Sequence, residues 1–469
     1  MKEGYLVFDL GTGNSRVALG DEVGNIFAIR QFENVYHQEN NNPDAKYFIP
    51  KEWFQKILKE TKLLLSNYPQ YTIRAVTATS AREGIVLIDQ MGSAFMGLPN
   101  IDKRGNERIK EYQQYSKNVY KLSGHWLDPL FSVLKLLTYQ ELYLGEDRKI
   151  SGFTSISEWI GYELTGKLGI ATSQACETQL FNTKEFRWSE ELIEIFGVDK
   201  KILPEVYDAG EVLGNIGKEN IPFIVCGADT QMAVKGVSAQ QGDVVVVSGT
   251  TSPIVAVTEN YLYDEKERCW IDCIRKGNWL IETNAGTTGM NLQTYKKKFL
   301  EDKSYGEIEQ QIEEKEDYKC IASFGTKYFP EKKTVKQGGI FSSAPLSGEL
   351  DRIDVVNAIM ADIACGITLH YNELKKINPH DKEYIIGCGG GFKSQILGKR
   401  IASLIQKEIR LPLHYDQASI YGCIKICQET LKKNTNKQDS VRAIDVEEDK
   451  KLEEYYEKWR IVRRICERL

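Results

Sequence analysis

The sequence lacks the features that mark several large protein classes. Its 469 residues carry a formal net charge of -5, which provides no basic surface for nucleic acid or for an anionic membrane. No apolar run approaches the roughly 18 residues of a membrane span. The N-terminal segment also lacks the apolar core of a signal peptide. These absences predict a cytoplasmic protein without nucleic-acid or membrane partners.

Cysteine and histidine are present, but not in the patterns of a metal site. Ten cysteines and five histidines are spread along the chain. Cys269 and Cys273 lie four residues apart, as do Cys423 and Cys427, yet no further ligands follow at the spacing of a zinc site. We therefore expect reduced, buried thiols.

The chain is long enough for two large domains, because one hydrophobic core rarely exceeds about 250–300 residues. A hydrophobic fraction of 42% and a charged fraction of 27% are typical of a globular protein. Near the N-terminus, apolar strands and tight turns precede a helical pattern and one more strand. The strands are expected at 5–9, 16–19, 26–32 and 75–79, and the helix at 53–65. This order predicts a mixed sheet with helices.

The opening strand–turn–strand unit recurs near the middle of the chain. Residues 5–19, YLVFDLGTGNSRVAL, resemble residues 244–257, VVVVSGTTSPIVAV. A third glycine cluster, at 387–391, follows a strand and precedes a helix expected over 395–405. The pattern predicts an α/β fold that is duplicated, with a ligand cleft between the two copies.

Turns rich in glycine and threonine can direct backbone N–H groups at phosphate oxygens. The candidate nucleotide-binding residues are Gly11, Thr12, Gly13, Asn14, Arg16, Gly249, Thr250, Thr251, Gly286, Gly389, Gly390, Gly391 and Ser394. Neither a P-loop nor a dinucleotide-binding motif fits, because Phe392 and Arg16 stand where those motifs need glycine. Asp9 ends the first strand and is expected to position Mg2+ through water, with turn capping as the alternative.

Asp229 is the candidate catalytic base. It follows an apolar strand at 223–225 and can accept the proton of an attacking hydroxyl during phosphoryl transfer, although a helix-capping role fits the local sequence equally well. The candidate substrate-binding residues are Arg82, Glu83, Asp102, Thr230 and Gln231. Such donors and acceptors suit a polyhydroxylated ligand, and solvated loops are the alternative.

Together these motifs resemble the FGGY carbohydrate kinase family over residues 3–430. Residues 9–16, DLGTGNSR, resemble its first phosphate motif, and residues 227–229 resemble the G-x-D motif that carries its base. Residues 249–251 and 389–394 resemble its second phosphate motif and its adenosine-side motif. Asp102 and Arg104 match its W-x-D-x-R signature, although Asn100 replaces the tryptophan.

The resemblance implies an ATP- and Mg2+-dependent kinase with two actin-like, ribonuclease H-like domains at 1–236 and 237–432. A charged, helical tail would follow at 433–469. A homodimer is left open. Two other classes compete with a kinase: an actin-like ATPase, which does not need the substrate-side charges, and a sugar-binding regulator, which does not need Asp229.

The substrate motifs indicate a small neutral sugar, a polyol or a linear hydroxyketone. The strings SAREGIVL and NIDKR look most like autoinducer-2 kinases, and the S-G-Q-M-H-G string of xylulokinases is absent. Arg82 and Glu83 also match the Arg-Glu pair of glycerol kinases, so xylulose, glycerol or another polyol remains the alternative.

Overall fold

The computed structural model describes residues 2–143, 149–346, 348–433 and 440–468. Two large mixed sheets define two domains with the actin-like fold. In spatial order the first sheet contains Val212–Ile216, Ile221–Ala228, Tyr71–Ser80, Lys2–Leu10, Asn14–Asp21 and Ile26–Glu33. The second contains Trp270–Arg275, Asn278–Thr287, Thr251–Thr258, Val244–Val247, Tyr384–Cys388, Glu408–Pro412 and Val441–Ile444.

The two sheets share a five-stranded core. In each, three neighbouring strands are antiparallel, and two further strands join the first of them in parallel. The second sheet also carries the strand Trp270–Arg275 beside its third core strand, Asn278–Thr287. The two units that look alike in sequence form the first hairpin of each sheet, Lys2–Leu10 with Asn14–Asp21 and Val244–Val247 with Thr251–Thr258. The duplicated fold is therefore confirmed, and both glycine turns occupy equivalent positions.

Helices and small sheets surround these two sheets. The α-helices are Pro50–Ser66, Ile109–Tyr112, Ser116–Ser123, Ser132–Tyr143, Ile156–Thr165, Thr172–Cys176, Glu190–Phe196, Asp229–Gly236, Gly289–Phe299, Tyr305–Glu313, Arg352–Ile377, Gln395–Ile405, Ala418–Thr430 and Lys450–Cys466. The remaining strands are His37–Glu39, Asn42–Tyr47, Ile85–Asp89, Ala94–Leu98, Ile150–Ser155, Gly169–Ala171, Phe181–Asn182, Arg187–Trp188, Glu205–Tyr207, Cys320–Ser323, Lys327–Tyr328, Lys333–Thr334 and Gly339–Ser342. All ten cysteines are buried and free, as expected.

The helix Arg352–Ile377 is long and apolar enough to cross a membrane by length and composition alone. However, 83% of its most apolar window is buried inside the protein, against the second sheet and its neighbouring helices. Asp351 caps its N-terminus by accepting hydrogen bonds from the amides of Ile353 and Asp354. This helix is the central core element of the second domain.

Two helices pack against each other between the sheets, Asp229–Gly236 and Ala418–Thr430. A Cβ atom added at Gly422 would lie 1.9 Å from the carbonyl oxygen of Met232, and one added at Gly236 would lie 2.0 Å from that of Ala418. Glycine is therefore required at both positions for the two backbones to touch. This contact fixes the helix that begins at Asp229.

The outer hairpin of the second sheet packs against the first half of the chain. The indole N–H of Trp126 donates to the carbonyl of Glu267 at 2.7 Å, and the Tyr120 hydroxyl donates to that of Cys269 at 2.9 Å. The amide of Ile271 donates to Gly124 at 3.1 Å. We propose the domain boundary at 236–237. The three hydrogen bonds above show that the two domains also contact each other far from this boundary in the sequence.

The C-terminal tail differs in part from expectation. It is not only helical, because Val441–Ile444 extends the second sheet beside Glu408–Pro412. In the helix Lys450–Cys466, Leu452, Tyr455 and Trp459 are buried, whereas Ile461 is exposed. Residues 434–439 and 469 of the predicted tail lie outside the described residues. The tail completes the second domain instead of forming a separate element.

Candidate active site

The first glycine turn connects Lys2–Leu10 to Asn14–Asp21 and is held through its carbonyl groups. The Asn34 side chain donates to Gly11 at 2.7 Å, and the Tyr36 hydroxyl donates to Thr12 at 2.8 Å. Among the described residues, the amides of Gly11, Thr12 and Gly13 have no acceptor. Asn100, which replaces the family's tryptophan, donates to the Thr12 hydroxyl at 2.9 Å. The turn is thus rigid with its N–H groups available to an anion.

Asp9 lies beside this turn and is almost completely buried. Its Oδ2 atom accepts hydrogen bonds from the Arg16 guanidinium and from the Ser419 hydroxyl, the latter at 2.8 Å. Arg16 also donates to Gln417 at 2.5 Å. Neither contact uses Oδ1 of Asp9, so one carboxylate oxygen remains for the hydration shell of a Mg2+ ion. Arg16 therefore holds Asp9 and the second domain together, a role that its sequence motif did not reveal.

The second and third glycine turns lie against each other. The amide of Gly391 donates to the carbonyl of Ser248 at 2.9 Å, and that of Gly389 donates to Tyr415 at 2.7 Å. A Cβ atom at Gly389 would lie 2.4 Å from the Ser248 carbonyl oxygen. This glycine is thus needed for the contact between the turns, whereas a Cβ atom at Gly390 would meet nothing within 4 Å.

The segment 415–419 joins the third turn to the strands that flank the first turn. Tyr415 accepts from the amide of Gly389, while Gln417 and Ser419 contact Arg16 and Asp9. In the second turn, the Thr250 carbonyl accepts from the amide of Thr288 at 3.1 Å. Gly286 adopts φ +78° with Thr326 close by, so its requirement for glycine is explained by packing. Ser394 caps the helix Gln395–Ile405 by accepting from Leu397 at 3.1 Å. The structure thus gathers the predicted nucleotide residues at one place, although some of them have structural roles.

Asp229 begins its helix directly after the strand Ile221–Ala228 and is half-buried. Its Oδ1 atom accepts the amide of Thr230 at 2.6 Å and the Thr230 hydroxyl at 3.3 Å. Burial and the negative charge of Asp9 raise the pKa of Asp229 to about 6, while Arg82 opposes this shift. Asp229 therefore lies within electrostatic reach of both Asp9 and Arg82, one of the predicted substrate residues.

The Gln231 side chain, two residues further on, is completely buried. Neither its carbonyl oxygen nor its amide nitrogen has a hydrogen-bond partner in the described part of the chain. Because an unpaired buried amide is costly, this group is suited to pair with a bound ligand. Thr230, in contrast, is occupied by its contacts with Asp229.

Arg82 and Glu83 follow the strand Tyr71–Ser80 and are buried. Glu83 has a left-handed backbone, with φ +62°, held in place by Ser132 and Lys135, which donate to its carbonyl at 3.0 and 3.1 Å. Burial raises the pKa of Glu83 to about 7, against the opposing charges of Arg82 and Lys135. Arg82 is bound by carboxylates, chiefly Glu282 of the second domain.

No hydrogen bond among the described residues joins Asp102 to Arg82 or Glu83. Its carboxylate accepts from Nε of Arg104 at 2.7 Å and from the amide of Lys46 at 2.9 Å. The buried Lys135 connects the two regions, since it donates to the carbonyls of both Glu83 and Pro99. Asp102 thus supports the loop behind the site, and its direct contact with a substrate stays a prediction.

Three buried residues that the motif analysis did not select lie against Arg82: Glu177, Asp272 and Glu282. His125, also buried, lies against Glu177 and Asp272. Asp272 and Glu282 lie in the apolar strands WIDCIR and NWLIETNAGT. A charged residue at an inward position of such a strand is the signal that could have identified them. Lys135 carries a similar signal within the apolar helix SVLKLLTYQELY, whereas Ser419 carries none.

Comparisons with known proteins agree with this architecture. The family model described as the FGGY family of carbohydrate kinases, N-terminal domain, matches residues 4–258. A Bacillus subtilis protein named sugar kinase YoaC is 38% identical over 99% of this chain and 97% of its own length. An autoinducer-2 kinase of Yersinia enterocolitica is 29% identical over 52% of this chain and 49% of its own length. The structure of a xylulose kinase from Lactobacillus acidophilus superposes with a TM-score of 0.83 at 15% identity, over 99% of this chain and 97% of that one.

The fold and the site formed by the glycine turns, Asp9 and Asp229 define an actin-like phosphotransferase. The chain belongs to the FGGY family of carbohydrate kinases. It is accordingly an ATP-dependent carbohydrate kinase that acts on a small-molecule sugar substrate. The predictions of family, fold and enzyme class are confirmed, and the rival classes of chaperone-like ATPase and silent regulator are set aside.

Proposed function

We propose that this kinase transfers the γ-phosphoryl group of ATP to a hydroxyl of a small neutral sugar, polyol or linear hydroxyketone. The observation that carries the proposal is the position of Asp229, which directly follows the strand Ile221–Ala228. That strand pairs in parallel with Tyr71–Ser80, which ends just before Arg82 and also pairs in parallel with the strand that contains Asp9. A base at that position faces both the phosphates and the acceptor hydroxyl. We propose a cytoplasmic location.

In this mechanism Asp229 orients the acceptor hydroxyl and accepts its proton. Phosphoryl transfer passes through a loose transition state, so the carboxylate needs only an ordinary basicity, and a pKa near 6 leaves it ionised at neutral pH. The amides of residues 11–13 and the second and third glycine turns hold the phosphates and the nucleotide. Asp9 would hold a Mg2+ ion through water, and the bound ion would supply positive charge that offsets the charge of the phosphates.

Two features favour a substrate that donates hydrogen bonds. Gln231 offers a buried carboxamide that has no hydrogen-bond partner in the described part of the chain, and Glu83 offers a buried carboxyl group. The half-length similarity to autoinducer-2 kinases supports a short, linear hydroxyketone as the first candidate. The fold shared with xylulose kinase is compatible with a ketose or another polyol as the second.

The test is ADP release measured by a coupled assay over a panel of linear ketoses, polyols and the autoinducer-2 precursor, with ATP and Mg2+. We expect turnover with at least one neutral member of the panel and none with Asp229→Asn. The proposal is wrong if the best substrate is a sugar acid, or if ADP is released at the same rate without any acceptor.

A further inference from the structure

Arg82 is held by the opposite domain. Its Nη1 and Nη2 atoms donate to the two carboxylate oxygens of Glu282 at 2.7 and 3.0 Å. Nη1 also lies 3.4 Å from Oδ2 of Asp272, on the neighbouring strand. This bidentate contact with Glu282 uses the same edge of the guanidinium group that a ligand carboxylate would bind.

The remaining surroundings of Arg82 are also acidic. Glu177 lies 3.6 Å from Nη1, and Glu83 lies 3.8 Å from Nε. Four carboxyl groups thus surround a single guanidinium in a buried environment. Burial and the charge of Asp272 raise the pKa of Glu177 well above its usual range. The surplus acid is therefore partly neutralised by protonation, and the ring of His125 lies against the same cluster, 3.1 Å from Asp272.

The side chain of Glu282 is itself fixed in place. Its Oε1 atom accepts a second hydrogen bond, from the side-chain amide of Asn284 at 2.9 Å. Glu282 is also almost completely buried in the strand Asn278–Thr287. Such a carboxylate does not reorient to release Arg82 without breaking several contacts. Arg82 is therefore unavailable to an incoming anion as long as Glu282 is charged.

We propose that Glu282, supported by Asp272, is a specificity-determining residue that makes this kinase reject sugar acids. The inference rests on the proposed function and deepens it. A substrate carboxylate would find the Arg82 fork occupied by Glu282, so its charge would be buried beside the carboxyl groups of Glu83 and Glu177 without a cationic partner. A neutral hydroxyl donates to those same groups without such a cost.

The test compares kcat/KM for an aldonate, such as gluconate, with kcat/KM for the best neutral substrate. Glu282→Gln removes the negative charge while nearly preserving shape, so we expect the ratio of acid to neutral substrate to rise about tenfold or more. Asp272→Asn should change the ratio in the same direction by a smaller factor, because its contact with Arg82 is longer. The matched control is Asp243→Asn, which removes a buried carboxylate bound to Lys382, away from the glycine turns, and should leave the ratio unchanged.

Wild-type protein provides a test that does not depend on the variants folding. Gluconate at millimolar concentration should neither inhibit turnover of the neutral substrate competitively nor raise the melting temperature. Competitive inhibition of the wild type overturns the inference, as does an unchanged ratio in folded Glu282→Gln. Either result would leave the proposed phosphorylation of neutral substrates standing, because that activity is measured separately on the wild type.

Discussion

Replacing Asp229 by asparagine should abolish turnover and at the same time stabilise the protein. The pKa of Asp229 is raised from 3.8 to about 6, so the folded protein binds a proton more tightly than the unfolded chain does. Stability contributed by this group is complete below about pH 3.8 and is lost as the pH rises through 6. Above that range, the buried charge costs the folded state free energy.

The size of this cost follows from the shift. A change of roughly two units corresponds to about 3 kcal/mol, and partial exposure of Asp229 to solvent reduces the effect to about 1–2 kcal/mol. Asparagine cannot ionise, so Asp229→Asn should be more stable than the wild type by that amount at pH 8. The difference should vanish as the pH falls below about 4.

The assay combines denaturant unfolding at several pH values with ADP release at pH 8. General-base catalysis contributes roughly 10²–10⁴-fold, so kcat should fall by at least about a hundredfold. Asp362→Asn is the matched control: its carboxyl also has a pKa raised to about 6 by burial, but it accepts from Phe324 and Trp459 in the second domain. That variant should retain turnover. The reasoning fails if Asp229→Asn keeps more than about a tenth of kcat, or if its stability difference does not depend on pH.

Three other outcomes are expected. Glu83→Gln should weaken the use of the best neutral substrate, mainly through KM, and leave ATP affinity unchanged in a titration; an unaltered KM would contradict its substrate contact. Gly422→Ala should lower the melting temperature, because the new methyl group collides with the Met232 carbonyl, whereas Gly390→Ala should not; equal melting temperatures would refute the helix contact. Small-angle scattering should show a smaller radius of gyration when ATP and substrate are both bound, and no change would indicate a rigid site.

Local sequence patterns are sufficient to predict several of the strands, turns and helices. Gly-Thr turns after apolar strands marked both hairpins, and the helix at 395–405 was placed at its observed bounds because Ser394 caps it and its apolar period is regular. The strands were predicted too short, as in Tyr71–Ser80, because polar residues at strand ends obscure the alternation. Asp229 is the predicted base because a carboxylate directly after a buried strand is a local signal, and its role stays a prediction.

The contacts of the predicted site residues, in contrast, are seen only in the tertiary structure. Arg82 looked free to bind a ligand in the sequence, but Glu282, 200 positions away, holds it. Asp102 is predicted to bind the substrate, and in the fold its carboxylate also accepts hydrogen bonds from the backbone of Lys46 and the side chain of Arg104. Ser419 contacts Asp9 because the helix Ala418–Thr430 packs between the sheets. Charge pairing between distant segments depends on how the two domains meet, and no local pattern of residues encodes that geometry.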